Sequence, residues 1–98
     1  MPYIIQTFDK PGHAQIRTAN RAVHLDYLEK HRGTLLAAGA VLNDDGSTGE
    51  GGVLIVDTEE RNAAEAFIAN DPFTKAGLFA KVTVTRWRKA FFNFQNCL

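Results

Sequence analysis

Near neutral pH few side chains can move a proton, and this sequence holds three histidines, His13, His24 and His31, and one cysteine, Cys97. His13 follows Pro11-Gly12 in a turn. His31 falls in the last turn of a helical stretch, where a cation suits the dipole. Both have ordinary structural roles. His24 differs, because helical spacing puts it on one face with Arg17, Arg21 and Leu28. Two arginines beside a histidine disfavour its protonation, leaving a neutral imidazole able to act as a base. A histidine on a half-buried helix is still most often structural, so a second group has to argue for chemistry. That group is Asp71, which stands before Pro72 and Phe73. Taken alone, it is a turn aspartate that bonds its own backbone. Beside His24, its carboxylate would fix the imidazole tautomer and stabilise the charged ring.

Other chemistries lack their residues. Ser47 and Thr48 have no nucleophile-elbow frame, and Cys97 sits next to the C-terminus, so the pair suits proton transfer better than covalent catalysis. The run Gly46-Ser47-Thr48-Gly49-Glu50-Gly51-Gly52 lacks the lysine of a phosphate loop and leads into a strand, which reads as a mobile hairpin tip. Histidine pairs at metal-ligand spacing are absent, and Asp44-Asp45 would hold a hard cation only weakly. No metal, flavin or nucleotide cofactor is therefore expected. From Thr74 onward basic side chains occur with no acid, and Arg86, Trp87, Arg88 and Lys89 run into Phe91, Phe92 and Phe94. That segment reads as a last strand and an apolar tail docking on a partner or on the protein body, rather than as an anion site.

The elements must bring these groups together. Tyr3 to Phe8 is a strand ended by Asp9-Lys10-Pro11-Gly12. His13 to Arg32 has helical spacing through Ile16, Ala19, Val23, Tyr27 and Leu28. Thr18 or Asn20 offers an internal N-cap, which starts the regular helix near Asn20 and puts His24 close to its positive end. Gly33 stops it. Thr34 to Leu42 is apolar on both faces and reads as a buried strand. Asn43 to Gly52 reads as a loop, and Val53 to Val56 as the next strand. Asp57 to Glu60 reads as the acidic first turn of a second helix with an apolar stripe at Ala63, Ala64, Phe67 and Ile68. Pro72 ends that helix and pushes Asp71 into extended backbone. Leu78 to Trp87 is the last strand.

The order βαββαβ defines an α+β, ferredoxin-like subunit: a four-stranded antiparallel sheet with two helices on one face. The strands are apolar on both sides, which a sheet with one wet face should not be. A second copy, packed sheet to sheet about a two-fold axis, is the simplest cover. A homodimer is expected.

Composition agrees with this. The 98 residues, 45% apolar and 22% charged, make one domain spanning 1–98, with 93–98 as a C-terminal tail. Eleven basic and eleven acidic side chains cancel, so neither nucleic acid nor a membrane surface is an expected partner. No stretch is long and apolar enough to span a bilayer, no signal peptide is evident, and a lone cysteine fits a reducing, cytoplasmic setting.

Several segments together resemble the YciI-like (YCII-related) family of small dimeric α/β-barrel proteins. They are Arg21-Ala22-Val23-His24-Leu25, Gly33 to Gly39, Gly52 to Val56, Ala63-Ala64-Glu65-Ala66, Asn70-Asp71-Pro72-Phe73 and Ala76-Gly77-Leu78-Phe79. Ala40 departs from the family's usual proline. The resemblance implies a ferredoxin-like subunit paired sheet to sheet into a dimeric α/β barrel, with a His-Asp dyad that falls on His24 and Asp71. Two functions follow as expectations. One is a cofactor-independent enzyme of isomerase or lyase type, in which Arg21, Arg17 and Phe73 hold a small aromatic or anionic metabolite. The alternative is a non-catalytic ligand-binding or structural dimer.

Overall fold

A computed structural model describes all 98 residues. The strands are β1 (Tyr3–Asp9), β2 (Leu35–Leu42), β3 (Thr48–Val56) and β4 (Phe79–Arg86); the helices are α1 (Ala14–Lys30), α2 (Arg61–Ala69) and the short α3 (Pro72–Lys75); β5 (Phe91–Phe92) and β6 (Gln95–Asn96) close the chain. The main sheet has order β2-β3-β1-β4, with every pairing antiparallel, as the ferredoxin-like reading requires.

Alternation along β1 separates the two faces. Tyr3, Ile5 and Thr7 are buried, whereas Ile4 is half-buried and Gln6 and Phe8 are exposed. Tyr3 and Ile5 pack with Leu54 and Val56 of β3 and with Ala64, Phe67 and Ile68 of α2, forming the core. The apolar stripe of α2 therefore lands where its spacing pointed. α1 behaves differently: it buries no residue completely, and it reaches the core only through Tyr27 and Leu28 near its C-terminal end. Upstream of those residues, its inner side stands over a hollow.

Three local readings change. α1 starts at Ala14, not near Asn20. The two polar residues that offered a cap instead bond back one turn, Thr18 Oγ1 to the Ala14 carbonyl at 3.1 Å and Asn20 Nδ2 to the Ile16 carbonyl at 2.9 Å. His24 consequently lies in mid-helix, away from the positive end. The glycine-rich segment is mostly strand, because β3 begins at Thr48 and the turn is confined to the residues around Asn43 to Ser47. A Cβ on Gly49 would come within 2.7 Å of the Val41 carbonyl, and one on Gly51 would run into the Thr7 carbonyl. These glycines permit close strand approach rather than a mobile loop. Finally, α2 starts at Arg61, with Glu60 in extended backbone at its N-cap and no acid in its first turn. Glu59 is engaged elsewhere, with the N-terminal amine.

α2 ends at Ala69, and Asp71 is extended (φ −64°, ψ 135°), as a residue before proline should be. Pro72 also begins something: it is the first residue of α3, where its missing N–H costs nothing. β2 is not buried within the subunit, since its residues from Ala37 to Leu42 are exposed. The tail folds into a hairpin of its own, turning through Asn93 and Phe94 at φ 54° and 64°.

Candidate functional site

His24 and Asp71 meet. His24 Nδ1 lies 2.9 Å from each carboxylate oxygen of Asp71. A carboxylate only accepts, so Nδ1 carries the hydrogen and Nε2 is left as the basic nitrogen. Nε2 has no hydrogen-bond partner within the chain. Asp71 is fully buried and also accepts the Phe73 amide at 2.8 Å, capping α3. The carboxylate is thus held from two sides: the proline-directed turn fixes its backbone, and the cap bond fixes its side chain.

Phe73 and Arg17 build the surroundings. The buried Phe73 ring stacks on the imidazole, with centroids 4.0 Å apart and planes 17° from parallel. Arg17 places its guanidinium carbon 4.8 Å from the same ring's centroid. That arginine is already committed: it forms a two-pronged pair with Asp9 at 2.7 and 3.0 Å, with both side chains nearly buried. Its fork is occupied by a carboxylate of the chain itself. Arg21 has no such partner and remains the free cation of the site. Tyr27 of α1 packs against the core; burial, and then the charge of Asp71, push its phenol above its ordinary value.

A cavity of about 260 Å³ opens beside His24. Its wall carries Arg17, Arg21, His24 and Leu25 of α1 together with Phe73, and its floor is the sheet at Thr7, Ala38, Ala40, Gly52 and Leu54. An engineered apolar cavity of about 150 Å³ holds benzene, so this one has room for a single substituted ring. Of the five residues singled out in the sequence, Arg17, Arg21, His24 and Phe73 line it, and the buried Asp71 reaches it only through its bond to His24. Asp9 and Thr7 did not stand out: Asp9 reads as a turn residue and Thr7 as a strand residue, and no local spacing ties either to His24. No three His, Cys, Asp or Glu side chains cluster closely enough to hold a metal ion.

The fold and this cavity together define a ferredoxin-like α+β protein with a cavity of single-ring size under its first helix. Residues 1–88 match the YCII-related domain, and the chain belongs to that family. It is 34% identical over 98 residues to "Protein YciI" of Escherichia coli O6:H1, covering 93% of this chain and 100% of that one. Among solved structures, 5-chloro-2-hydroxyhydroquinone dehydrochlorinase (TftG) of Burkholderia phenoliruptrix AC1100, in complex with 2,5-dihydroxybenzoquinone, superposes with TM-score 0.81 at 40% identity. The match covers 90% of this chain and 94% of that one. An antibiotic biosynthesis monooxygenase shares the fold at TM-score 0.50 and 20% identity, covering 89% of this chain and 97% of that one.

Proposed function

We propose that this protein is a cofactor-independent enzyme of isomerase or lyase type, in which the His24–Asp71 pair moves protons on a small oxygenated ring. One observation carries the reading. Asp71 holds the imidazole by Nδ1, and the ring borders a cavity of single-ring size. A neutral histidine so held is a general base with its counter-charge in place. The 40% identity to a dehydrochlorinase seen with a dihydroxyquinone supports the ring chemistry.

The steps balance with proton transfers alone. His24 Nε2 takes a proton from a ring hydroxyl and returns it to a ring carbon; a C=O bond forms and the carbon becomes tetrahedral, which is an isomerisation. Where that carbon carries a halogen, loss of a second hydroxyl proton forms a second C=O as the carbon–halogen bond breaks with its electron pair. The net loss is HX. Arg21 offsets charge on the developing oxyanion. Asp71 stays ionised and balances the imidazolium.

The test is chloride release from 5-chloro-2-hydroxyhydroquinone above the spontaneous rate. Expected is release by the wild type and its loss in His24→Ala. If the protein binds hydroxylated quinones without turnover, the ligand-binding alternative replaces this reading. That alternative draws on the second task of Asp71, which caps α3 whether or not it serves a base.

A further inference from the structure

Thr7 sits in mid-strand on β1, on the sheet face beneath α1, and is 3% exposed. It lines the cavity, and its hydroxyl has one contact in the chain, the Gly52 carbonyl at 3.5 Å. That is long for an O–H···O bond, which is usually about 2.7–2.8 Å. A buried hydroxyl without a good partner is costly, and valine would fill the same shape at no such cost. The neighbours keep the space over the hydroxyl open. Thr7 pairs across the sheet with Gly52, and Gly52 pairs with Ala40. A Cβ on Gly52 would stand 3.4 Å from Thr7 Oγ1 and 3.1 Å from the Gly39 carbonyl. Around Thr7 the floor is therefore made of a hydrogen and a methyl group beside one under-used hydroxyl, while the other polar side chains, Arg17, Arg21 and His24, stand on the wall.

We infer that Thr7 is a specificity-determining residue: its hydroxyl hydrogen-bonds an oxygen of the bound ring other than the one that meets His24. The preferred ligand is then a single ring oxygenated at two separated positions. This rests on the ring-substrate reading above. The probe is 2,5-dihydroxybenzoquinone, titrated calorimetrically into wild type, Thr7→Val and Thr7→Ser, with thermal melts of each protein alone.

Expected is binding weakened roughly fivefold to tenfold in Thr7→Val and kept within about threefold in Thr7→Ser. The ligand-free valine variant should melt at or above the wild-type temperature, since no good internal bond is lost. Equal affinity of wild type and Thr7→Val overturns the inference and leaves the enzyme reading standing. So does a Thr7→Ser affinity as weak as the valine variant's, or a lowered melting point of ligand-free Thr7→Val, which would make the hydroxyl structural. No binding of the probe by wild type removes the ring-substrate reading, and this inference with it.

Discussion

At the scale of single residues, the buried carboxylate of Asp71 decides what substitutions do. Asparagine at this position keeps an oxygen for the Phe73 amide, but its NH2 then faces His24 Nδ1 as a donor, which favours the tautomer with the hydrogen on Nε2, and it carries no charge to offset an imidazolium. Asp71→Asn should therefore stay folded, with its melting point within a few degrees of wild type. Its turnover should fall by about two orders of magnitude or more, checked by chloride release beside circular dichroism. His24→Ala is different, because it leaves that buried carboxylate with the cap bond alone. It should abolish turnover and also cost about 1–3 kcal/mol in chemical denaturation. Tyr27 supplies a pH dependence. Its phenol donates to the Phe67 carbonyl at 2.7 Å, and burial and Asp71 raise its folded pKa above 10.0. The folded state then binds the phenolic proton more tightly than the unfolded chain. Its contribution is complete below the unfolded value and declines as pH rises through the folded one. Melts from pH 8 to 11 should show an alkaline decline that Tyr27→Phe makes shallower.

At the scale of elements, the site depends on how closely β3 lies against its neighbours. Gly51 has no room for a methyl group, since the Thr7 carbonyl occupies that space. Gly51→Ala should lower stability by about 1–3 kcal/mol, measured by urea unfolding, because backbone rather than a flexible side-chain end must move. The same shift would disturb Thr7 and the cavity floor. α1 is the reverse case. It gives up close packing over much of its length, and the space it does not fill is the cavity. Its anchoring passes to Tyr27 and Leu28 at one end and to the Arg17–Asp9 pair at the other. That pair is nearly buried, so each partner guards the other from standing alone in low dielectric.

At the scale of the molecule, the sheet has one face covered by helices and one that no helix covers. On the second face an apolar patch of Ile4 and Phe8 of β1 with Val53 and Ile55 of β3 lies beside Gln6, Lys81, Thr85 and Thr83, and the buried hydroxyl oxygen of Thr83 has no partner. An apolar patch on an open sheet face favours a partner that covers it. A second copy remains our proposal for that cover, closing the two sheets into a barrel. Sedimentation at micromolar concentration should give twice the 10.8 kDa of one chain. Val53→Glu should shift the protein toward the single-chain mass, since a buried unpaired charge opposes association. A species of single-chain mass alone in the wild type would refute the pairing.

Much of this is legible in the sequence itself. Hydrophobic period and turn residues act over a few positions, so the four strands, the α2 stripe at Ala64, Phe67 and Ile68, and the extended Asp71 before Pro72 could all be read locally. The βαββαβ order then leaves few topologies, and the family resemblance joined His24 to Asp71 across 47 positions. Local rules failed where two of them competed. Thr18 and Asn20 can cap a helix or bond back within one, and only the turn before Ala14 decided which. Glycines can loosen a loop or let strands touch, and only the carbonyls of Val41 and Thr7 pressing on Gly49 and Gly51 decided that. The engagement of Arg17 by Asp9, the stacking of Phe73 on His24 and the hydroxyl of Thr7 on the cavity floor belong to tertiary structure alone. Each depends on side chains from different elements meeting in three dimensions, and no spacing along the chain encodes such a meeting.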